Sequence, residues 1–423
     1  MITPENKRVS YYFDPEIGIY TFKKGHPMRP LRVRITHDLV EAYDMLPRMQ
    51  TFDSSFFDMT DEMLCEFHSE EYIDLLKNIN EDNIQVYQDQ FNRFGFSADC
   101  PFPTNSKFYD FCKLYSTGSV HGAQLLNDKR VDIALNWSGG LHHAKRQEAS
   151  GFCYVNDCVL AILELLKHHN RVLYVDIDVH HGDGVEEAFL LTNRVMTCSF
   201  HKGQEFFPGT GKVTDVGFDE GMFHSVNFPL YEGMDDISYE HIFKPVIDAI
   251  LASFRPDAIV LQGGSDSLAG DKLGCFNLSI HGHGACAKYL RTKGLPMICL
   301  GGGGYTLRNI PRCWTYETSV ALGIDLPNEL PAFDYSHYFY PENKLQTPVS
   351  NMENINTPEY MHETCNQLID NIRRIKLYTP EMRVESKFVH DEAIQAVSET
   401  MNINREAQEE LSDRERKTMN TGA

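Results

Sequence analysis

Between about residue 130 and residue 325, short apolar runs alternate with longer segments of helical periodicity. Val131–Trp137 (VDIALNW) reads as a buried strand, and Tyr154 to Lys167, which includes AILELLK, has the apolar spacing of a helix. Arg171–Asp178 (RVLYVDID) reads as a second strand, followed by a short helix from about Gly184 to Leu191. Arg194–Phe200, Ala258–Gln262 and Pro296–Leu300 are further strand-length runs, the last two each preceded by a helical stretch. This repeated alternation predicts βαβ units and a mainly parallel sheet.

Polar and glycine-rich residues cluster just after these runs: Gly139-Gly140-Leu141-His142-His143, Asp178 to Asp183, Gly263-Gly264-Ser265-Asp266, and Gly301 to Gly304 followed by Tyr305. In open parallel sheets ligands bind outside the carboxyl ends of the strands, so four strand ends point to one site.

Asp178 and His180 stand two apart at a strand end and share one face, with Asp176 in phase. Three polar groups on an otherwise apolar strand need partners, and a divalent cation supplies them. Asp266 is the natural third ligand. One His and two carboxylates leave coordination positions open, as a catalytic site requires. Histidine favours zinc over magnesium or calcium, and Fe(II) is compatible with the same donors. A plain Asp178–His180 polar network is outweighed by the HHGDG run and by Asp266 on a matching strand end.

His142 and His143 can share the base and acid roles that attack by water demands, oriented by Asp176 and Asp183. Tyr305 can donate a hydrogen bond to a tetrahedral oxyanion. The four glycines before it are not followed by the Lys-Ser/Thr of a phosphate loop. No G-x-S-x-G elbow or other nucleophile motif is present, so the chemistry reads as metal-assisted attack of water on a carbonyl.

Composition narrows the picture further. The 423 residues are 42% hydrophobic and carry a formal charge of −21, which argues against generic nucleic-acid binding and for cationic partners or substrates. Eleven scattered cysteines without a CxxC pair predict free thiols in a reducing compartment. The first residues lack a secretory apolar region, and no run approaches the length of a membrane span, so an intracellular soluble protein is expected. Residues 377–423 are polar and charged, with EAQEELSDRERK near their end, and read as a weakly helical or disordered tail.

The same residues resemble the class I zinc-dependent histone deacetylases. The matching stretches are Gly25–Met28 (GHPM), Asn136–Lys145 (NWSGGLHHAK), Glu148–Asp157 (EASGFCYVND), Asp176–Glu186 and Phe207–Gly211 (FPGTG). They continue with Ser265–Leu268 (SDSL), Leu273–Asn277 (LGCFN), Gly301–Tyr305 (GGGGY) and Arg312–Thr318 (RCWTYET). The resemblance spans residues 9–376 and implies a single α/β domain of the arginase–deacetylase type, with a central eight-stranded parallel sheet flanked by helices. It implies hydrolysis of the acetyl amide of Nε-acetyl-lysine in histones and other proteins.

By that resemblance Asp178, His180 and Asp266 match the zinc ligands, and Tyr305 the carbonyl-polarising tyrosine. His142 and His143 match the proton-transfer pair, backed by Asp176 and Asp183. Gly151, Phe152, Phe207 and Leu273 match the walls of the acetyl-lysine tunnel, Asp99 the rim carboxylate that holds the substrate backbone, and Arg32 the internal acetate channel. Asp176, Asp178, His180, Ser199 and Phe200 resemble a structural potassium site.

The resemblance further implies nuclear residence, with the cytoplasm as a second location, and corepressor scaffolds bound through an inositol polyphosphate. Arg29, Lys272 and Arg308 match its basic pocket, and Lys23 and Lys24 add charge. Thr21 stands where that pocket commonly has a histidine. Other departures are Leu31 for a histidine before Arg32, Gly203-Gln204 for a Tyr-Gly pair, Gly263 for a frequent cysteine, and a longer rim after Asp99. An acetylpolyamine deacetylase of the same fold and a non-catalytic scaffold subunit are the alternatives. The RCWTYET stretch and the basic pocket speak against the first, and the complete set of catalytic residues against the second.

Overall fold

Eight strands form one sheet: β1 (Val9–Tyr12), β2 (Gln50–Phe52), β3 (Ile133–Asn136), β4 (Val172–Asp176), β5 (Val195–Lys202), β6 (Ser225–Leu230), β7 (Ala258–Gln262) and β8 (Met297–Leu300). Every pairing is parallel, in the order β2-β1-β3-β8-β7-β4-β5-β6. This computed structural model describes residues 7–80, 82–91, 93–97, 100–101, 108–203 and 205–375. The charged tail at 377–423, Asp99 and Gln204 therefore lie outside the described residues.

Among the described residues the helices are α1 (Leu31–Ala42), α2 (Asp61–Leu64), α3 (Glu70–Asn78), α4 (Gln88–Phe91), α5 (Phe108–Asn127), α6 (Asp157–Leu166), α7 (Asp183–Phe189), α8 (Asp236–Ser253), α9 (Ile280–Thr292), α10 (Ile310–Leu322) and α11 (Pro358–Ile372). Alternate strand residues feed two separate cores. Leu173, Val175, Met196, Cys198, Ile259, Leu261, Met297 and Cys299 pack on one side, with apolar residues of α1, α8, α9, α10 and α11. Val172, Tyr174, Val195, Ala258, Val260, Ile298 and Leu300 pack on the other, with those of α3, α5 and α6. Both faces are covered, which is why these strands read as continuous apolar runs.

The five strands expected from the central apolar runs are all present: β3, β4 and β8 are shorter than their runs, β7 matches its run, and β5 extends two residues further to Lys202. Three strands lack an apolar run long enough to mark them. β1 and β2 have only four and three residues. β6 contains Pro229, which has no N–H to donate and is tolerated because β6 is an edge strand.

Four neighbouring strands in the middle of the sheet, β3, β8, β7 and β4, send their carboxyl ends into the four polar loops singled out above. The loop after β3 is pinned by α6. The buried Asp157 carboxylate at the start of α6 accepts from the Gly140 and Leu141 N–H groups at 2.9 and 2.8 Å and from Ser119 Oγ at 2.5 Å. The Asn156 side chain caps α6 through Val159 N at 3.1 Å and donates to the Ala144 carbonyl at 2.9 Å. This loop carries His142 and His143, and the Asp157 carboxylate is its main anchor at Gly140 and Leu141. Asp157→Ala leaves buried N–H donors unpaired and is expected to lower stability by about 2 kcal/mol or more in a denaturant titration.

Candidate active site

β4 ends at Asp176, but its alternation continues. Ile177 and Val179 point into the core with Leu173 and Val175, so Asp176, Asp178 and His180 turn the other way. Main-chain bonds hold this extension in place, from Ile177 N to the Gln262 carbonyl at 3.1 Å and from Lys202 N to the Val179 carbonyl at 2.8 Å.

Asp178, His180 and Asp266 are buried, and their donor atoms lie within 4.8 Å of one another. His180 Nδ1 stands 3.1 Å from both Asp178 Oδ1 and Asp266 Oδ2. The outward lone pairs are taken: Asp178 Oδ2 accepts from Gln262 Nε2 at 2.9 Å and Gly303 N at 2.8 Å, and Asp266 Oδ1 accepts from Val179 N at 3.0 Å. What remains unsatisfied faces the common centre.

Burial, reinforced by the charge of Asp178, pushes the Asp266 carboxyl up to about 7. Burial acts to lower His180, but the two carboxylates outweigh it and raise the imidazole to about 10. One ring nitrogen between two buried carboxylates requires either a proton or a cation. Ligand atoms about 2.0–2.2 Å from a tetrahedral zinc lie about 3.4 Å apart, close to the 3.1 Å found here. The donor set therefore fits a divalent metal.

The two histidines after β3 face this centre differently. His142 Nδ1 bonds Asp176 Oδ2 at 2.7 Å, an oxygen that also accepts from Tyr174 Oη at 2.6 Å, while His142 Nε2 lies 3.8 Å from Asp178 Oδ2. Burial opposes its protonation, but Asp176 and Asp178 prevail and raise it to about 9. His143 Nδ1 bonds Asp183 Oδ1 at 2.7 Å, and the other oxygen of Asp183 pairs with Lys145 Nζ at 2.8 Å. Burial, then the neighbouring charge of His142, pushes His143 down to about 3. Each ring is held at Nδ1 and offers Nε2 to the site.

Tyr305 is buried after a turn in which Gly302 and Gly304 adopt φ of +131° and +129°. Asp271 holds that turn through Tyr305 N at 2.7 Å and Thr306 N at 3.1 Å. The Tyr305 ring lies 6.5 Å from His180 and 5.7 Å from Phe152. Phe207 stands edge-on to His143 at 5.0 Å and remains 41% exposed, so it runs from the buried site to solvent. Gly151 has φ of +50°, and a Cβ there would lie 2.4 Å from His143 and 2.8 Å from Phe207. Leu273 is half-exposed on the segment that Asp271 anchors.

Arg32 is buried and grips the glycine turn, donating to the Gly304 and Gly302 carbonyls at 2.6 and 2.5 Å. Ser199 pairs with Asp176 across the sheet, which brings the residues matched to the potassium site to one strand end. Its hydroxyl lies 2.8 Å from His201 Nδ1, and the Phe200 ring is turned into the core. Arg29, Lys272 and Arg308 are exposed. All eleven cysteines are free thiols. Among the described residues no helix is long and apolar enough to cross a membrane.

Several supporting groups went unread in the sequence. Gln262 ties Asp178 to the Gly140 carbonyl, Tyr174 supports Asp176, Lys145 fixes Asp183, and Phe206 stacks on His180 at 5.1 Å. Tyr174 carried a usable signal, since it lies two residues before Asp176 on the same strand face. Asp271 carried none.

Residues 26–321 match the family model described as the histone deacetylase domain. Histone deacetylase 1 of Homo sapiens is 52% identical over 369 residues, covering 87% of this chain and 76% of that protein. Probable histone deacetylase 1-B of Xenopus laevis is 50% identical over 390 residues, covering 92% and 80%. Histone deacetylase 19 of Arabidopsis thaliana is 51% identical over 370 residues, covering 88% and 73%.

The site also fixes how metal-free protein responds to pH. His180 and His142 hold protons more tightly folded than unfolded, so their stabilisation is complete below about 6.5 and is lost as pH rises toward about 10 and 9. Asp266, raised to about 7, acts in the same direction at lower pH. Chelator-treated protein is expected to unfold at progressively lower temperature from neutral pH to about 9, and zinc should reduce that slope by replacing the protons. Rising stability over this window in the metal-free protein would contradict the protonation pattern.

Proposed function

Because this chain belongs to the histone deacetylase family, and resembles its class I branch over most of its length, we propose that it hydrolyses Nε-acetyl-lysine in histones and other proteins with a zinc ion held by Asp178, His180 and Asp266. The reading rests chiefly on one observation: a buried imidazole nitrogen facing two buried carboxylates, with the Phe207 ring against His143 and the Phe152 ring against Tyr305. Aromatic walls suit the four methylenes of a lysine stem, and the acetyl amide at its end is neutral, so it can enter an apolar opening.

A zinc ion bound there supplies Lewis acidity toward the amide carbonyl and a lowered pKa for the attacking water. The protein groups do the rest. One of the paired imidazoles takes a proton from the attacking water, and the other gives one to the departing lysine amine, each through the Nε2 that its carboxylate partner leaves facing the site. The two rings are oriented by different carboxylates, His142 by Asp176 and His143 by Asp183, which fits them for separate base and acid roles. The carbon–nitrogen bond breaks as the amine is protonated, leaving acetate and free lysine. Burial keeps the Tyr305 phenol well above its ordinary pKa, so it stays protonated and can donate to the oxyanion. The Gly151 position keeps space open between His143 and Phe207.

The finer assignments belong to the same proposal. Fe(II) fits the same donors. Asp176, Asp178, His180, Ser199 and Phe200 would hold a structural potassium ion. Arg29, Lys272 and Arg308 would take an inositol polyphosphate shared with a corepressor scaffold, in the nucleus. Support for that basic pocket is indirect: Arg32 joins the start of α1 to the glycine turn, and Asp271 joins the same turn to the segment bearing Lys272.

Purified protein is expected to release acetate from an acetylated histone peptide far faster than from acetylspermidine. The reverse preference would favour a polyamine substrate. Tyr305→Phe should lower kcat by on the order of 10² or more with unchanged metal content, since it removes one oxyanion donor. Gly151→Ala should lower kcat/KM, because its Cβ would overlap the His143 ring and crowd Phe207, and unchanged kcat/KM in that variant would contradict the placing of the reaction between those two rings.

A further inference from the structure

The Arg312–Thr318 stretch takes no part in the reaction described above, yet most of it is buried. Cys313, Trp314 and Glu317 on α10 meet His283 on α9 beneath the loop that follows β7. The His283 ring is held at both nitrogens: Nδ1 lies 2.8 Å from Glu317 Oε1, and Nε2 lies 2.9 Å from the Gly264 carbonyl oxygen. A carbonyl can only accept, so Nε2 carries a proton. Trp314 Nε1 donates to the preceding carbonyl, that of Gly263, at 2.9 Å. Two successive carbonyls of the loop are thus gripped from below.

The gripped peptide is wedged against the metal ligands. Gly264 N donates to Gln262 Oε1 at 2.8 Å, and the same Gln262 amide donates to Asp178 Oδ2. A Cβ on Gly264 would lie 1.9 Å from Asp178 Oδ2, so backbone and carboxylate are in direct contact. Asp266 follows two residues later. Movement of this one peptide therefore shifts both carboxylates.

His283, Cys313 and Glu317 also have the donor types of a second buried cation site. Their spacing argues otherwise. The 2.8 Å between His283 and Glu317 is a hydrogen-bond length, shorter than the 3.1 Å between His180 and its carboxylates. Burial pushes the Cys313 thiol up to about 11, so its sulfur keeps its proton. Glu317 Oε2 is buried without a hydrogen-bond partner, which leaves His283 as the group that offsets its charge.

We propose that His283, oriented by Glu317, is a positioning residue that holds the Gly264 carbonyl and thereby sets the separation of Asp178 and Asp266. This rests on the reading of those carboxylates as metal ligands.

The test uses the full chain, with zinc affinity measured by chelator competition and unfolding temperature measured without metal. Removing His283 alone strands a buried carboxylate, so the informative variant is His283→Leu combined with Glu317→Leu, which replaces both partners with apolar groups. It should still fold, since Ser267 Oγ at 3.3 Å remains as a donor to the Gly264 carbonyl, yet bind zinc 10- to 100-fold more weakly, as loss of an orienting partner does. Glu317→Gln should keep the parent affinity, because the amide donates to Nδ1 and leaves the Nε2 proton on Gly264. A folded double variant that binds zinc as tightly as the parent overturns the proposal. So does a Glu317→Gln variant that loses as much affinity as the double variant. If the double variant does not fold, His283→Met in the Glu317→Gln background removes the donor to Gly264 without stranding a buried carboxylate, and it is compared with Glu317→Gln alone by the same readouts. A parent that binds no zinc overturns the metal reading itself, a result distinct from an intact site that needs no brace.

Discussion

Asp178 and Asp266 are like charges buried at one point, and the surrounding architecture makes that tolerable. Neither carboxylate can be solvated, and their repulsion is strongest in a water-poor interior. Gln262 from the end of β7, Gly303 from the loop after β8 and Val179 from the extension of β4 each satisfy an outward oxygen. Those donors come from three adjacent strands, so the order β8-β7-β4 is a requirement of the site as well as a feature of the sheet. Once the outward lone pairs are taken, the remaining negative charge is directed at His180. A proton or a divalent cation is the natural occupant there.

The same economy of charge distinguishes two adjacent histidines. Both are buried, and each bonds a carboxylate through Nδ1 at 2.7 Å. Their environments separate at the next group along. Asp176 has a neutral phenol, Tyr174, as its other partner, and Asp178 adds a second negative charge near His142. Asp183 is already balanced by Lys145, so it has less field to lend His143. Without a metal the pair is driven toward one protonated and one neutral ring, and the unequal surroundings suit a division of base and acid roles.

Much of this was legible in the chain because it depends on local phase. Asp176, Asp178 and His180 fall on one face by the period of two, and the structure keeps that phase beyond the last strand residue. The four glycine-rich runs lie at strand ends, and parallel topology alone brings such ends together. The count of eight strands had to come from resemblance, since β1 and β2 are too short to signal themselves and Pro229 masks β6. Gln262, Lys145 and His283 stayed unread for another reason. Their partners are distant in sequence, as with His283 and Glu317 at 34 residues, and no periodicity encodes such a contact.

The physical constraints weaken from floor to rim. At the floor, displacement exposes uncompensated charge, and the carboxylates of Asp176, Asp178, Asp183 and Asp266 are each held by fixed partners. At the opening, Phe207 and Leu273 are partly exposed, and Arg29, Lys272 and Arg308 are fully at the surface, where shape and long-range charge set the requirements. The departures from the family pattern follow this gradient. Leu31 and Gly203 lie away from the three ligands. Gly263 is nearer, but a Cβ there would meet Glu317 Oε2 and the Leu300 carbonyl at 3.3 Å rather than any group of the metal centre. A small residue at 263 therefore bears on the packing beside the His283–Glu317 pair and touches none of the three ligands directly. The positions where the chain departs from the resemblance thus differ in their electrostatic surroundings from the buried charges of the metal centre.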